Sequence, residues 1–406
     1  MTSLQRAPRP LLSRVLLALQ LVSAPRLARG AVYAGRSVTV ATGDAVCDAF
    51  AYGAVGDGVA DDTAALQRAI AACAGPGGGT ALLPANGTFL SFGLVVPSSS
   101  SSFALVIEGT LRFSNDTARW PKGAQACLDV SGRGVAVTGH GLVDGQGAAW
   151  WPCAKAGCAR PNLFNAHVSG GAGLLVANLS FRDSPNHNLE LFASPQEVAN
   201  VTILAPDSQN APVPSHNTDG IDVHGSPAHI HDCHISVGDD HVAMHANDTL
   251  VEDCRFGTGH GASIGSLGAG TAMQNVTVRR CSFDGAITAM RIKADTTSDG
   301  FLRDVTYRDL ALRDCETTLL VTMNYPSNSG ESKSTMRISG LLVQNVSASG
   351  AIQAAGALNG SRAAPLEGIV IRDLVHADAP AKGWACEWAH GTSAGVTPPL
   401  AGCLLP

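Results

Sequence analysis

The chain has 406 residues, of which 45% are hydrophobic, 15% are charged and 5% are aromatic, and its formal net charge is −6. The high apolar and low charged content excludes a globally disordered chain, and the 45 glycines and 21 prolines disfavour a helical bundle or coiled coil. Because 33 acidic residues outnumber 27 basic ones, bulk charge gives no indication of nucleic-acid binding.

Residues 1–30 have the pattern of a secretory signal peptide. They contain five arginines and no acidic residue, and the apolar run Val15–Val22 is followed by small residues up to Gly30. This run is much shorter than the roughly 20 apolar residues that a membrane span requires, which disfavours the alternative of a membrane anchor. We therefore expect a secreted protein of the extracellular space or cell wall, whose mature chain, 31–406, has 22 basic and 33 acidic residues and a net charge of −11.

Eight Asn-x-Ser/Thr sequons support the secretory interpretation and predict a glycoprotein where the host has that machinery. They begin at Asn86, Asn115, Asn178, Asn200, Asn247, Asn275, Asn345 and Asn359.

The 11 cysteines are consistent with an oxidising compartment. Pairs that are close in sequence are candidate disulfides, namely Cys47–Cys73, Cys153–Cys158 and Cys386–Cys403. By contrast, Cys233, Cys254 and Cys281 lie in similar short strands, where we expect them to stack as small buried groups. The odd count leaves at least one thiol free or paired between chains, and without a CxxC pair no structural zinc site is expected.

The first predicted element is a short amphipathic helix. Asp61–Thr63 offers N-cap oxygens, and Leu66, Ile70 and Cys73 fall on one helical face before Gly75. From there on, short apolar runs broken by Gly, Asn, Asp or Ser predict strands, about every 20 to 35 residues. The clearest are Phe103–Phe113, Gly134–Gly145, Gly173–Ser184, Glu197–Pro206, Ala228–Val237, Asp248–Gly257, Asn275–Gly285, Arg337–Gly350 and Glu367–Ala379.

One such unit cannot bury its apolar face alone, whereas stacked coils share a continuous core. The sequence therefore predicts an all-β fold, a single-stranded right-handed parallel β-helix whose N-terminal helix caps the open end of the stack. A β-sandwich is the alternative, because it also uses many short strands. The regular spacing favours the solenoid and a single domain over 31–406.

The polar residues with the clearest chemical potential recur with the coil period. Asp219 lies 20 residues before Asp239, and His260 lies 20 residues after Asp240. In a solenoid these residues become neighbours on successive coils, which are about 4.8 Å apart. Arg291 and Lys293 follow at a spacing of two, so that a strand would present both on one face.

Three carboxylates, one imidazole and two cations fit the hydrolysis of an acidic polysaccharide. Glycoside hydrolysis needs one protonated carboxylic acid and one carboxylate, and crowding raises at least one carboxyl pKa. The two cations indicate an anionic sugar, bound despite the negative charge of the protein. Each motif alone is more often a turn or an exposed strand edge, so the interpretation depends on their common spacing.

Two groups of residues are alternative metal sites. Calcium is a rival use for the oxygens of Asp219, Asp222, Asp239 and Asp240, but Arg291 and Lys293 nearby argue against it. Among the eight histidines between His216 and His260, His229 and His231 could project on one face. The strand pattern gives them no consistent third ligand, so zinc is disfavoured. We expect no metal and no cofactor.

These motifs also resemble those of the polygalacturonases of glycoside hydrolase family 28. The resemblance is carried by NTDG at 217–220, GDD at 238–240, GHGASIGSLG at 259–268 and RIK at 291–293, and it extends over nearly the whole mature chain. It implies metal-free hydrolysis of α-1,4-linked galacturonan in pectin, with inversion. By motif position Asp239 corresponds to the general acid, and Asp219 and Asp240 correspond to the carboxylates that activate water.

The resemblance also assigns the remaining site residues. His260 would support the protonation state of the acid, Arg291 and Lys293 would bind the galacturonate carboxylate, and Asn217 and Tyr325 would contact substrate. Two positions depart from the family pattern. His241 follows the aspartate pair where the family commonly has cysteine, and Cys254 lies six residues before His260. The disulfide that the family often has beside the active site is therefore expected to be absent.

The expected partner is pectin or polygalacturonate, with no nucleic acid, no membrane after signal removal and a monomeric protein. Three rivals remain open. One is a hydrolase of rhamnogalacturonan or another substituted pectin, one is a calcium-dependent lyase on the same scaffold, and the third is a non-catalytic β-helix that binds cell-wall polysaccharide. Whether an enzyme of this kind cuts within the chain or from its end depends on loops that the sequence does not define.

Overall fold

The computed structural model describes residues 38–75, 77–327, 332–400 and 402–405. The predicted signal peptide, 1–30, lies outside the described residues. None of the helices in the described part has the length and apolar character needed to cross a membrane.

The described residues form 30 β-strands, one α-helix and three short 3-10 helices. The α-helix, α1, is Thr63–Cys73, and the 3-10 helices are Ala49–Tyr52, Gly147–Ala149 and Trp151–Ala156. The strands before the site are β1 Val46–Asp48, β2 Asp57–Asp61, β3 Gly79–Leu83, β4 Thr88–Ser91, β5 Leu94–Val96, β6 Ser101–Ile107, β7 Thr110–Phe113, β8 Ala126–Thr138, β9 Leu142–Asp144, β10 Asn162–Ala177, β11 Ser180–Arg182, β12 Leu189–Ala199 and β13 Thr202–Leu204.

The remaining strands are β14 Ile221–Val223, β15 Ala228–His231, β16 His234–Ser236, β17 Val242–Met244, β18 Thr249–Glu252, β19 Arg255–Phe256, β20 Ala262–Leu267, β21 Thr271–Arg279, β22 Ser282–Asp284, β23 Thr288–Asp295, β24 Gly300–Arg313, β25 Thr317–Tyr325, β26 Arg337–Ser349, β27 Ala354–Asn359, β28 Leu366–His376, β29 Lys382–Glu387 and β30 Ala389–Thr397.

These strands build a right-handed parallel β-helix, which confirms the predicted fold. Each strand pairs in parallel with the equivalent strand of the next coil, so three faces run along the molecule. The first face contains β12, β14, β17, β20, β23 and β25. The second contains β15, β18, β21 and β24, and the third contains β13, β16, β19 and β22. The parallel pairing rules out the β-sandwich alternative.

The core is made of inward-facing apolar side chains stacked from coil to coil. On the first face, Ile221, Val242, Ala262 and Met290 occupy successive coils in register, and all are buried. Alternation along a strand sends the residues between them to the outer side of the sheet face, where polar groups such as Asp222 lie, buried under the turns and side chains of the site. The core therefore lies on the inner side of the first-face strands, and the candidate site lies on their outer side.

The cysteines are arranged as predicted. Disulfides join Cys47 to Cys73, Cys153 to Cys158 and Cys386 to Cys403. The other five cysteines are free and buried, and Cys254 lies in contact with both Cys233 and Cys281.

α1 closes the N-terminal end of the stack as expected. Leu66, Ile70 and Cys73 are buried against the first coils, and the Cys47–Cys73 disulfide ties the helix to β1. The capping differs in detail from the prediction. The Asp62 carboxylate accepts hydrogen bonds from the backbone of Val55 (2.6 Å) and Gly56 (3.1 Å), so it does not cap the helix. The Asp61 carboxylate accepts from the Thr63 N–H instead.

Several sequon asparagines have a structural role in the turns. Asn178, Asn200 and Asn345 have φ of 62°, 52° and 53°, the left-handed region that asparagine tolerates better than most residues. They occupy the corner between the second and third faces. The Asn200 amide donates to Asn178 Oδ1 at 2.9 Å, and the Asn345 amide donates to Asp309 at 2.8 Å. Backbone conformation thus explains these asparagines, and they do not by themselves indicate glycosylation.

The cap makes a stability prediction. Replacing Ile70 by Ala should lower the free energy of unfolding by about 2–5 kcal/mol, because it leaves a cavity between α1 and the first coil. Ala71→Ser, at an exposed position of the same helix, should change it by less than about 0.5 kcal/mol. Urea unfolding followed by circular dichroism measures both, and equal effects of the two substitutions would show that the helix does not seal the stack.

Candidate active site

The predicted site residues gather at one end of the first-face strands. Asp219 ends the turn before β14, the Asp239–Asp240 pair precedes β17, and His260 precedes β20. Arg291 lies within β23, where it is in register with Ser263 of β20, and Ser263 is in register with Ala243 of β17. The coil spacing in the sequence therefore becomes a single cluster in space.

Asp240 is the most enclosed carboxylate of the cluster and lies between two cations. Its side chain is 1% exposed. Lys293 Nζ donates to Oδ2 at 2.5 Å, while Ser263 Oγ and Arg291 Nη1 donate to Oδ1 at 2.6 and 3.3 Å. These three groups compensate the negative charge of a carboxylate that is removed from water. The two predicted substrate-binding cations thus also hold Asp240.

Asp239 pairs with the predicted histidine. His260 Nδ1 lies 2.9 Å from Asp239 Oδ1, and the His260 backbone N–H donates to the Asp239 carbonyl at 2.8 Å. Burial acts to raise the pKa of Asp239, but His260, Lys293 and Arg291 outweigh it and lower the pKa to about 2. The residue that the resemblance assigns as general acid is therefore ionised in the ligand-free site.

Asp219 behaves in the opposite way. Burial and the negative charge of Asp239 raise its pKa well above the usual value, although His187 opposes this. The Asp219 backbone carbonyl accepts hydrogen bonds from Asn188, which fix the turn. Crowding thus shifts the pKa values of Asp219 and Asp239 in opposite directions, and in the absence of ligand it favours a proton on Asp219 over one on Asp239.

His187 is a site residue that the sequence analysis missed. Its Nδ1 lies 2.7 Å from Glu190 and 3.3 Å from Asp222, and its Nε2 lies 3.6 Å from Asp219. Burial acts to lower its pKa, but these carboxylates raise it well above the usual value. A protonated His187 therefore compensates charge beneath the cluster. His224 adds a second imidazole, 2.8 Å from Glu190.

A spacing signal for part of this group was present in the sequence. Asn165, Glu190 and Asp222 are in register on β10, β12 and β14. The sequence pattern predicts β12 only from Glu197 onward. The first residues of this strand, which include Glu190, and the preceding loop with His187 are therefore missing from the prediction.

Asn217 and Tyr325 lie at the edges of the cluster. Arg160 donates to Asn217 Oδ1 at 3.0 Å and to the carbonyls of Pro185 and His216, both at 2.8 Å. Arg160 was not predicted, and it joins two turns at the rim. The Tyr325 ring centroid lies 5.6 Å from the Arg291 guanidinium carbon and 5.3 Å from Lys293 Nζ. Tyr325 thus lies beside both cations.

His241 fixes the turn that carries His260. Its Nε2 donates to the carbonyls of Gly257 and Thr258, both at 3.0 Å, and the Gly261 N–H donates to its Nδ1 at 3.2 Å. Burial lowers its pKa to about 4, in keeping with a neutral ring. Cys254 is free, as expected. The His241 imidazole, and no disulfide from Cys254, therefore links the two coils at this point.

His229 and His231 do not belong to the cluster, because they lie on β15 of the second face. The expectation that they have no third ligand is wrong, since Glu197 of β12 lies beside them and the three offer ligand atoms within 4.8 Å of one another. The strand pattern did not reveal Glu197 as a third ligand, because Glu197 lies on the preceding coil, in register with His229. His231 Nε2 is 3.0 Å from Glu197, and His229 Nε2 is 3.0 Å from Glu252.

The charges at the cluster disfavour calcium. Asp239, Asp240 and His260 offer ligand atoms within 4.8 Å of one another, as do His187, Glu190 and Asp222. A calcium ion at the aspartate pair would, however, have to displace Lys293 and Arg291 from Asp240. Carboxylates of divergent pKa beside two cations suit acid–base chemistry on an anionic substrate better than a cation site.

Comparison with known proteins points in one direction. The model of a family described as glycosyl hydrolases family 28 matches residues 73–395. A probable polygalacturonase of Arabidopsis thaliana is 32% identical over 70% of this chain and 62% of its own length. A polygalacturonase of Chamaecyparis obtusa is 30% identical over 80% of this chain and 65% of its own length. This chain therefore spans less than two-thirds of the length of these two relatives.

Two further proteins are similar to this chain, one a relative whose name gives a different substrate and the other a solved structure with the same fold. Probable endo-xylogalacturonan hydrolase A of Aspergillus fumigatus is 30% identical over 68% of this chain and 69% of its own length. The crystal structure of a hyperthermoactive exopolygalacturonase from Thermotoga maritima superimposes with a TM-score of 0.73 at 20% identity, covering 87% of this chain and 93% of that one. At this identity the structural likeness supports the fold alone.

His241→Phe tests the imidazole tie. The variant keeps a ring beside Phe256 and Phe283 but removes three hydrogen bonds. The Thr258 carbonyl still accepts from the Val237 N–H, whereas the Gly257 carbonyl and the Gly261 N–H lose the bond to His241, so we expect a loss of about 2–4 kcal/mol in the free energy of unfolding at neutral pH. Because the folded pKa of about 4 lies below the ordinary 6.5, this contribution is complete above pH 6.5 and is lost as the pH falls through 4.

The stability gap between wild type and His241→Phe should therefore narrow from pH 6.5 to pH 4 in urea unfolding experiments. His234→Phe, at an exposed histidine of β16, serves as the control and should leave stability nearly unchanged. A gap that stays constant with pH would show that the buried neutral imidazole is not its source.

Proposed function

The chain belongs to glycosyl hydrolases family 28, and we propose that it hydrolyses the α-1,4-galacturonosyl linkages of pectin with inversion of configuration. The observation that carries the proposal is the Asp219, Asp239 and Asp240 cluster, whose carboxyl pKa values are driven apart within reach of Arg291 and Lys293. No catalytic metal or cofactor is required by this chemistry, because the acid, the base and the carboxylate-binding cations are all side chains.

Substrate binding favours the protonated form of Asp239, which the ligand-free site disfavours. A galacturonate carboxylate held by Arg291 and Lys293, beside the Tyr325 ring, offsets the two cations that lower the pKa of Asp239. It also excludes water, which favours the neutral form of a carboxyl group. The pKa of Asp239 therefore rises as the sugar binds, and Asp239 can protonate the leaving glycosidic oxygen while His260 orients it.

The water nucleophile is assigned to Asp219 and Asp240. Lys293 compensates the charge of Asp240. A proton shared by the other two carboxyl groups moves from Asp219 to Asp239 once the cations are engaged by substrate, because the negative charge of Asp239 is what favours protonation of Asp219. His187 would stabilise the anionic form of Asp219 that results. The site thus redistributes one proton, and only the substrate-bound form has an acid and a base in their working states.

The second candidate is hydrolysis of a substituted galacturonan. It is favoured by the Aspergillus fumigatus relative, whose name refers to xylogalacturonan. The cluster and the cations would serve both substrates, so the distinction depends on which side groups the groove accepts. A calcium-dependent lyase is disfavoured by the cations on Asp240, and a non-catalytic binding module by the divergent carboxyl pKa values.

We further propose that the protein acts outside the cell. The basic and apolar pattern of 1–30, the three disulfides and a pectin substrate are consistent with a secreted monomer that works at the cell wall. Residues 31–406 would then form one catalytic domain.

Release of reducing sugar from polygalacturonate at mildly acidic pH, with chelator present, tests the activity. Wild type should release reducing ends without ultraviolet-absorbing products, and Asp239→Asn should lose on the order of 10²-fold or more in turnover while remaining folded. No release from polygalacturonate, methylated pectin or xylogalacturonan would contradict the proposal, and chelator-sensitive unsaturated products would indicate a lyase.

Lys293→Ala tests the role of the cations. Removing this charge should raise KM for polygalacturonate by about tenfold or more and should raise the pKa of Asp239 in the free enzyme. Lys382→Ala, at an exposed position of β29, is the matched control and should change neither. Steady-state kinetics across pH measures both effects, and unchanged KM and kcat would remove Lys293 from the substrate site.

A further inference from the structure

Four rings form a ladder on the first face, on the N-terminal side of the candidate active site. His167, Phe192, His224 and His245 come from successive coils, with neighbouring centroids 4.9, 4.3 and 4.7 Å apart and ring planes within 9° of parallel. We call these residues the ring ladder. His167 is in register with Phe192, and the pKa of His245 is affected by Lys293. The ladder therefore leads directly to the cations of the site.

The ladder presents ring edges to solvent on the outer side of the first face. Because the rings stack face to face along the coil axis, their faces are covered by one another and their edges point outward. His167 is exposed, and Phe192 is 42% exposed. A stack that served only to stabilise the coils would gain more by burying Phe192. An exposed apolar edge between two imidazoles is instead suited to a ligand that is apolar at one point and carries hydroxyl groups on either side.

The charge beside the ladder differs from that at the proposed cleavage centre. Its neighbours on the outward side of β8, β10, β12 and β14 are Asp129, Asn165, Glu190 and Asp222, which are in register with one another. These four positions contain no lysine or arginine. Two arginines lie at the borders of this stretch, Arg133 near Gly170 and Arg160 bound to the turn at Asn217.

We propose that the ring ladder is a subsite for a methyl-esterified galacturonate residue of pectin, which rests on the proposed function. Esterification removes the sugar's negative charge, which the partly exposed Asp129 would repel, and adds a methyl group that packs on the Phe192 edge. The sugar hydroxyls reach the ring nitrogens of the flanking imidazoles. The groove thus accepts a free carboxylate at Arg291 and Lys293 and an ester on the ladder, so that its preferred substrate is partly esterified pectin.

Binding to an inactive enzyme tests the subsite without turnover. In an Asp239→Asn background, isothermal titration calorimetry compares a fully de-esterified oligogalacturonate with an oligosaccharide of the same length that is about half methyl-esterified. Phe192→Ala should weaken binding of the esterified ligand by about tenfold and of the de-esterified ligand by less than about twofold. Leu204→Ala, at a residue of similar exposure on the third face (40%), should change neither affinity.

A second variant protects the test against misfolding. Phe192→Leu keeps an apolar side chain and should retain most of the affinity for the esterified ligand, and unfolding midpoints verify that both variants are folded. Equal loss for the two ligands, or no loss for either, would overturn the ladder assignment. If wild type cleaves polygalacturonate and the variants show no selectivity, only the ladder assignment fails. If wild type cleaves no pectin but binding of the esterified ligand depends on Phe192, the proposed function fails and the subsite stands.

Discussion

The parallel pairing of each coil with the next is the constraint on which the site depends. A strand spacing of about 4.8 Å brings residues one coil apart within contact distance. Asp219, Asp239 and His260 thus become neighbours without any long-range loop to assemble them. The same rule stacks Ile221, Val242 and Ala262 inside the coil, so a change that slips the register would displace core and site together.

Electrostatic balance is the second requirement, and it follows from this packing. Stacking places several carboxylates in a small buried volume, which would be strongly unfavourable without compensating charge. Lys293 and Arg291 offset Asp240, His260 offsets Asp239, and His187 offsets Glu190 and Asp222. Burial and Asp239 raise the pKa of Asp219 although His187 opposes them, so a proton is favoured on Asp219 over Asp239. The carboxyl pKa values diverge because the compensating groups are distributed unevenly.

Much of the fold and the central cluster could be predicted, because both are expressed as periods in the sequence. Apolar runs recur at the coil length, and so do the motifs that contain the proposed catalytic residues. The missed elements are those with weak local signals. The first-face strands β14 and β17 have three residues each, too few for an alternation pattern. His187 and Arg160 lie in loops outside the repeat. The left-handed backbone of Asn178 and Asn200, which explains why asparagine occurs there, has no distinct signal in the sequence.

The carboxyl ionisation states could not be derived from the sequence for a different reason. Motif position assigns Asp239 as acid, yet protonation is a property of the whole charge cluster, and the ligand-free cluster favours a proton on Asp219. The assignment and the structure are reconciled if the substrate carboxylate completes the cluster by engaging Lys293 and Arg291. An uncharged sugar at that position would leave Asp239 ionised and unable to donate. Under the proposed function the cations would select a uronate by controlling the acid as well as by binding, so that specificity and catalysis would share the same residues.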